Sequence, residues 1–280
     1  MESEALVQAY QFMIEDRYSR VTHGPQIEGY HAYDLCEDGD SVEFKVPFID
    51  RQIRSDLREL INCQNRWVGE LKKWCAWNRV LREYGPEEQW DLRIEFVDSV
   101  ARGCMLEPSA MRDRVLRALN FALHHASMSV NTGYLDSLGS DKADRALLSA
   151  GKVPRSRYLS RDRQTKQAID FVQRWPEAEG VLNLLECIDD DAYRQDSMDY
   201  RNVSSHSIAP HFERGIVPYV VRTVTLRPGV SYGFGDRPPL RHIEAFSANR
   251  LQLSAMRSLL VAYESLLLQV FERVRERRLQ

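Results

Sequence analysis

Apolar residues recur at steps of three and four along most of this chain, which is the period of an amphipathic α-helix. This pattern predicts helices over residues 3–20, 50–84, 87–104, 107–130, 141–150, 164–175, 178–189 and 247–278. Proline is favoured in a first helical turn, so Pro108 marks the start of the 107–130 helix. The last helix alternates steps of three and four without a miss, through Leu253, Met256, Leu260, Tyr263, Leu267, Val270 and Val274. Such a seam predicts a helix packed along its length, within a bundle or across a dimer.

Two segments carry a β pattern instead. Residues 41–48 alternate polar and apolar positions, which predicts a short, half-exposed strand with Pro47 at a sheet edge. Residues 216–234 are rich in β-forming side chains and contain the turn signal Arg227-Pro228-Gly229, which predicts a hairpin. The strand at 41–48 is a candidate neighbour for this hairpin. The expected fold class is therefore mainly α, a helical bundle with a small β-hairpin insertion near 216–234.

No internal repeat, low-complexity tract or Pro/Ser-rich linker divides the sequence. We therefore predict a single helical domain over residues 1–280. Residues 1–49 are expected to form an N-terminal helix with a loop and strand, and residues 50–280 the bundle. With 280 residues, the chain is long enough to bury a sizeable core without disulfides or metals.

Composition bounds the setting of the protein. The formal net charge of −3 argues against a generally basic nucleic-acid binder but allows a local basic patch. The five cysteines are scattered, without a C-x-x-C pair, which suits reduced thiols. Residues 1–15 lack the pattern of a signal peptide, and the longest apolar stretch, 259–271, is too short to span a bilayer. We expect a soluble cytoplasmic protein that does not associate with membranes.

Familiar cofactor and metal motifs are absent. The sequence has no glycine-rich phosphate loop, no paired-histidine zinc helix and no serine-nucleophile motif. The adjacent pair His124-His125 is a poor metal site, because consecutive helical residues point to different faces, and both are predicted to be exposed. We therefore expect neither a cofactor nor a metal.

Candidate chemistry lies in a polar helix predicted over residues 189–207. Three aspartates suit its N-terminus, and Arg201, Asn202 and His206 lie near its end. A histidine can take the proton of a ribose 2′-hydroxyl or protonate the leaving 5′-oxygen, and an arginine can hold the phosphate. An asparagine can orient either group. RNA would then yield a 2′,3′-cyclic phosphate and a 5′-hydroxyl without a metal, and DNA would stay intact.

The segment Arg201-Asn202-x-x-x-His206 resembles the R-x4–6-H motif of the HEPN superfamily. HEPN domains are helical bundles, frequently dimeric, and many active members are RNases in toxin–antitoxin, phage-defence or RNA-processing systems. The resemblance implies a homodimer in which two motif copies meet, an RNA substrate, and an antitoxin or regulatory protein as a further partner. It also implies phosphate binding by Arg201, an orienting role for Asn202, and acid–base work by His206.

A basic run is a candidate grip for RNA, because cations that contact a phosphate backbone release its counterions. Its members, with a tyrosine that could stack on a base, are Lys152, Arg155, Arg157, Tyr158, Arg161, Arg163 and Lys166. His211 and Arg214 follow the motif closely and are candidates for the same cleft. A solvated surface loop is the alternative interpretation of the basic run.

Alternatives remain for the motif. Arg201 could pair with Asp196 or Asp199 in a solvated helix, with His206 capping the C-terminus. The chain could also be a non-catalytic HEPN-like dimer that binds a partner protein or a nucleotide, or a structural dimer module. Moreover, five residues of ideal helix turn a side chain by about 140°. Arg201 and His206 therefore converge only if the helix ends between them or a partner subunit completes the site.

Overall fold

The computed structural model describes residues 1–18, 27, 29–37, 41–137, 141–152, 160–224 and 229–278. Within these ranges the chain is mainly α-helical with one small hairpin, which confirms the predicted fold class. The α-helices are α1 (Glu2–Tyr18), α2 (Asp34–Glu37), α3 (Ile49–Val80), α4 (Pro86–Leu92), α5 (Asp98–Val130), α6 (Asp141–Ser149), α7 (Arg161–Val172), α8 (Glu179–Glu186), α9 (Asp191–Asp196), α10 (Tyr200–His206) and α11 (His242–Arg278). Among them, no helix is both long and apolar enough to cross a membrane.

Shorter turns and the hairpin complete the described elements. Leu81–Glu83 and Pro176–Ala178 are 3₁₀ turns, and the π-helical turn Arg93–Val97 joins α4 to α5. Strands β1 (Val217–Val224) and β2 (Val230–Arg237) pair antiparallel, which confirms the predicted hairpin. Of its predicted turn, residues 227 and 228 lie outside the described part of the chain.

Backbone contacts group the chain into two compact units. Unit 1 comprises Met1–Gly29, Arg66–Ser109 and Asp189–Ser254, and unit 2 comprises Tyr30–Asn65, Ala110–Ile188 and Ala255–Gln280. Each unit is therefore assembled from three stretches that are distant in sequence. The single domain expected over residues 1–280 stays a prediction.

Aromatic rings form the centre of unit 1. Trp74 of α3 meets His242 and Phe246 of α11 edge-on, with ring centroids 5.7 and 5.5 Å apart. Tyr193 of α9 is buried and donates its hydroxyl hydrogen to the carbonyl of Met105 at 3.2 Å. The hydrogen bond satisfies the one polar atom of the Tyr193 side chain, which is removed from water.

Unit 2 also combines aromatic packing with satisfied polar groups. Trp175 is 1% exposed, and its indole N–H donates to the hydroxyl of Ser127 at 2.9 Å. The amide of Asn120 on α5 donates to the carbonyl of Gln164 on α7 at 2.9 Å. Helices α5 and α7 are thereby held together beside the cavity described below.

The apolar seam of α11 is buried within a single chain. Its seven residues are at most 2% exposed: Leu253, Met256, Leu260, Tyr263, Leu267, Val270 and Val274. Of the two settings that the seam allowed, packing inside a bundle is the one observed.

The strand predicted at 41–48 is wrong. Val42 and Phe44 are buried while Glu43 and Lys45 are exposed, so the alternation is real, but the segment pairs with no described strand. Phe44 packs edge-on against Phe271 at 6.1 Å, and the backbone N–H of Lys45 donates to the hydroxyl of Ser129. Residues 41–48 are therefore tied to helices by these contacts, and the chain bends and turns over residues 45–48 in place of continuing as a strand.

Two predicted helix boundaries are also wrong. Helix α5 runs through Pro108, although proline cannot donate the helical hydrogen bond to the carbonyl of Cys104, four residues earlier. Pro108 and Cys104 are both buried, so packing in the interior keeps the helix continuous. The polar helix predicted over 189–207 is instead split into α9 and α10. Met198 and Asp199 adopt left-handed backbone angles, with φ of 54° and 49°, which interrupt the helix there.

Candidate functional site

Helix α10 carries the predicted catalytic residues and is anchored in unit 1 by its first residue. Tyr200 is 4% exposed, and its ring stacks on Phe212 with centroids 5.7 Å apart. Phe212 stacks in turn on His242 at 4.6 Å. Because its first turn is held in this aromatic stack, α10 presents its remaining residues in a defined orientation.

The hairpin fixes the backbone that follows α10. Arg237 at the end of β2 donates to the hydroxyl of Ser207 at 3.2 Å and to the carbonyl of Ile208 at 3.1 Å. The same guanidinium lies over the ring of Tyr219, 4.5 Å from its centroid. The residues on either side of the motif are thus both tied to the body of unit 1.

All three predicted catalytic side chains are exposed. Asn202 donates from its amide to the carboxylate of Asp199 at 3.0 Å, so it stabilises the start of its own helix. Within the described ranges, the side chains of Arg201 and His206 form no hydrogen bond or ion pair. The alternative in which Arg201 pairs with Asp196 or Asp199 is therefore not observed.

One chain does not bring the arginine and the histidine together. Helix α10 continues from Tyr200 to His206, and the backbone break lies before Arg201. Five residues of continuous helix separate the directions of the two side chains by about 140°. Of the two conditions for their convergence, an end of the helix between the two residues is not met, and completion by a partner subunit is the other.

The two residues predicted to line the same cleft lie beyond α10. His211 is exposed and packs against Gly215, where an added Cβ would lie 3.2 Å from the imidazole. Arg214 is exposed as well, and its guanidinium lies 5.0 Å from the ring centroid of Trp90. Both residues belong to unit 1, like the motif.

The basic run falls in unit 2, and its residues have different surroundings. Lys152 is exposed, whereas Arg161 donates to the carboxylate of Asp113 at 2.6 Å and is partly buried. Arg163 and Lys166 are exposed on α7 and line a cavity. Three predicted residues lie outside the described part of the chain: Arg155, Arg157 and Tyr158.

That cavity has a volume of about 660 Å³ and combines cations with aromatic rings. Helix α7 and the residues just after it supply one wall. Counted from Arg163, the lining residues Lys166, Gln167 and Arg174 follow at three, four and eleven positions, which places them on one side of the helix. The side chains that matter for its chemistry are Tyr134, Arg163, Lys166, Asp170, Phe171 and Arg174. Three cations and one carboxylate leave the cavity with net positive charge.

The ring of Tyr134 is fixed by two neighbours. Its hydroxyl lies 2.7 Å from the imidazole Nδ1 of His124, and the guanidinium of Arg174 lies 5.3 Å from its centroid. The other nitrogen of His124 is 3.2 Å from the carboxylate of Asp136. No sequence pattern indicated that Tyr134, His124 and Arg174 lie together. The only related signal was that Lys166 and Arg174 both fall within the helix predicted over residues 164–175.

The prediction that His124 and His125 are exposed is wrong for both. His124 is 6% exposed and His125 is only partly exposed, because the buried face of α5 is wider than its apolar stripe. Burial lowers the pKa of both imidazoles, that of His125 to about 4. The hydroxyl of Tyr134 and the carboxylate of Asp136 satisfy His124 in place of water.

The structure also reveals a histidine–carboxylate pair that no motif indicated. The imidazole of His242 is 3% exposed and lies 3.1 Å from the carboxylate of Asp98. Since the His242 ring is buried against Phe212 and Trp74 and Asp98 is partly exposed beside it, we assign the pair a structural role in supporting the stack under α10.

Over the described residues, no group of three or more His, Cys, Asp or Glu side chains is arranged to hold a metal ion. In comparisons with known proteins, no family model matches the chain, and no curated protein or solved structure is significantly similar to it. The resemblance to HEPN proteins consequently rests on the motif and the helical architecture alone.

Proposed function

We propose that the protein is a metal-independent endoribonuclease in which Arg201 and His206 act on the scissile phosphate. The observation that carries the proposal is the way α10 presents them. Both side chains are exposed, and neither has a side-chain partner in the described chain. A guanidinium and an imidazole held at the surface on an anchored helix are available to a substrate phosphate.

The chemistry is an internal transesterification. His206 accepts the proton of a ribose 2′-hydroxyl, whose oxygen attacks the adjacent phosphorus. The bond from phosphorus to the 5′-oxygen breaks, and that oxygen leaves with the proton that His206 took from the 2′-hydroxyl. Arg201 donates two hydrogen bonds to the non-bridging oxygens and offsets the charge that builds on them. The products are a 2′,3′-cyclic phosphate and a 5′-hydroxyl.

The divergence of the two side chains makes a homodimer part of the proposal. Arg201 of one copy would face His206 of the other, so that a two-fold axis generates two equivalent sites. Asn202 acts as a positioning residue here, because its bond to Asp199 fixes the first turn of α10. A toxin or defence role, and an antitoxin partner, follow only from the family resemblance.

The test is digestion of mixed RNAs in EDTA by the purified protein. Arg201→Ala and His206→Ala are each expected to lower the rate by about 10²–10⁴-fold. Arg222→Ala, which removes an exposed cation of β1 in unit 1, is the control and should cut normally. Fragments should end in cyclic phosphate, and DNA should stay intact. Equal cutting by His206→Ala and the natural protein would refute the proposal.

A mixing experiment tests whether Arg201 and His206 of one site come from two different copies of the chain. Arg201→Ala and His206→Ala proteins, each inactive alone, are refolded together in equal amounts. The mixture should regain about one quarter of the natural activity, because half the dimers are mixed and each has one intact site. Failure to regain activity, although mixed dimers form, would show that the two residues do not cooperate across copies.

A further inference from the structure

We infer that the cavity of unit 2 binds a nucleotide, with its phosphate on Lys166, Arg163 and Arg174 and its base against Tyr134. The cavity shares no residue with α10, so this inference goes beyond the proposed ribonuclease centre. Its ligand class is a nucleoside phosphate, whether free or at the end of an RNA chain.

The first argument is uncompensated charge. Arg163 and Lys166 lie on successive turns of α7, and neither forms an ion pair within the described ranges. Arg161, two residues earlier, shows the contrast, because its guanidinium is neutralised by Asp113 at 2.6 Å. Arg174 lies against the ring of Tyr134, and it forms no ion pair with any carboxylate of the described residues. Cations that converge on a cavity without partners are suited to bind a phosphate.

The second argument is a prepared aromatic surface. Tyr134 is held from its hydroxyl by buried His124 and from its face by Arg174. Phe171, 4% exposed, lies at a centroid distance of 6.4 Å from it. A ring that is already fixed in orientation loses little entropy when a base stacks on it, and stacking tolerates any base.

Size and the remaining polar group select a nucleotide over simpler anions. A cavity of about 660 Å³ is far larger than inorganic phosphate needs and lies in the range of small-molecule sites. Asp170, the carboxylate in the lining, would repel a bare anion. It can accept a hydrogen bond from a ribose hydroxyl or a base amino group.

The test is calorimetric titration of the full chain in a His206→Ala background, so that RNA probes stay intact. The probes are AMP, ATP, inorganic phosphate, and an octaribonucleotide with either a 5′-phosphate or a 5′-hydroxyl. We expect saturable binding of a phosphorylated nucleotide, weakened about tenfold or more by Lys166→Ala or Arg174→Ala. Arg222→Ala, which removes an exposed cation on β1 outside the cavity, should bind normally.

A second pair of variants tests the ring. Tyr134→Phe keeps the stacking surface and should retain binding of AMP, whereas Tyr134→Leu should lose it while both variants keep the fold by circular dichroism. Binding of AMP identifies a free nucleotide as ligand, and binding of the 5′-phosphorylated octamer alone identifies an RNA end. The inference would be overturned if no probe showed saturable binding. It would also be overturned if Lys166→Ala and Arg174→Ala bound the probes as tightly as the parent His206→Ala protein does. RNA cutting by the natural protein is scored separately, so either proposal can fail alone.

Discussion

At the scale of single residues, the environment decides which side chains are available for chemistry. His206 and His124 both lie on helices, yet His206 is exposed whereas His124 is buried against Tyr134. Arg161 and Arg163 are two positions apart, but the first is bound by a carboxylate and the second faces a cavity. The type of a residue indicates which chemistry its side chain could perform. Burial, hydrogen bonds and ion pairs determine whether that side chain is free to perform it.

Buried histidines predict a pH dependence of stability. His125 has a folded pKa of about 4, lowered by burial and then by the neighbouring imidazole of His124, against about 6.5 in unfolded chains. Between these values the unfolded state binds a proton that the folded state does not, so stability falls as pH falls. Between pH 7.5 and 5, the natural protein should lose about 1 kcal/mol more unfolding free energy than His125→Gln, after allowance for solvent screening.

Urea unfolding at the two pH values measures this difference. His211→Gln, which makes the same substitution at an exposed histidine, is the control for the change of residue. Parallel losses in the natural protein and in His125→Gln would show that this imidazole titrates alike in the folded and unfolded states.

At the scale of elements, the ends of helices and strands are fixed by a few specific contacts. The carboxylate of Asp190 accepts the backbone N–H of Tyr193 and so caps α9. The hairpin is held at its base by Arg237 and by the ring of Tyr219. These contacts matter because α10 lies between α9 and the hairpin in the chain, so the positions of both help to fix the position of α10.

The hairpin offers a sharp test in its two glycines. A Cβ added at Gly235 would lie 2.6 Å from the ring of Tyr219, its cross-strand partner. Gly233 lies on the same strand with nothing within 4 Å of such an atom. Gly235→Ala should therefore destabilise the hairpin by about 1–3 kcal/mol, and Gly233→Ala should not.

Limited proteolysis of the hairpin, followed by mass spectrometry, reports this local loss. Cleavage within β1 and β2 should accelerate in Gly235→Ala alone. Equal protection of both variants would mean that Tyr219 can move aside without cost, and that the ring does not hold the base of the hairpin.

At the scale of the whole molecule, the longest helix belongs to the core of one chain. The seam of α11 is buried without any second copy, so the proposed homodimer must use other surfaces. The cations of the cavity also make the proposed phosphate binding compatible with a net charge of −3, because local charge need not follow the total.

Adjacent leucines on α11 test the role of the seam. Leu267 is 1% exposed, whereas Leu268 is 55% exposed. Leu267→Ala should lower the unfolding free energy by about 2–5 kcal/mol, and Leu268→Ala should change it little. Neither variant should alter the molar mass measured by light scattering. Dissociation of a dimer by Leu267→Ala, without loss of stability, would place the seam at an interface.

The sequence by itself predicted most of the longer helices, the hairpin and the apolar seam of α11, but not every helix boundary. All of these follow from local sequence patterns. A helix that buries one face must repeat its apolar residues every three or four positions, and a hairpin combines β-forming residues with a turn signal. It also singled out Arg201, Asn202 and His206, and two cavity cations, by residue type and spacing.

Tertiary structure alone decided the rest. Packing on helices left residues 41–48 without a sheet partner, kept α5 continuous through Pro108, and buried His124. It also placed Tyr134 against Arg174, forty positions later, and so created the cavity. Such features depend on contacts between residues far apart in the chain, whose free energy outweighs local preference and leaves no periodic trace in the sequence.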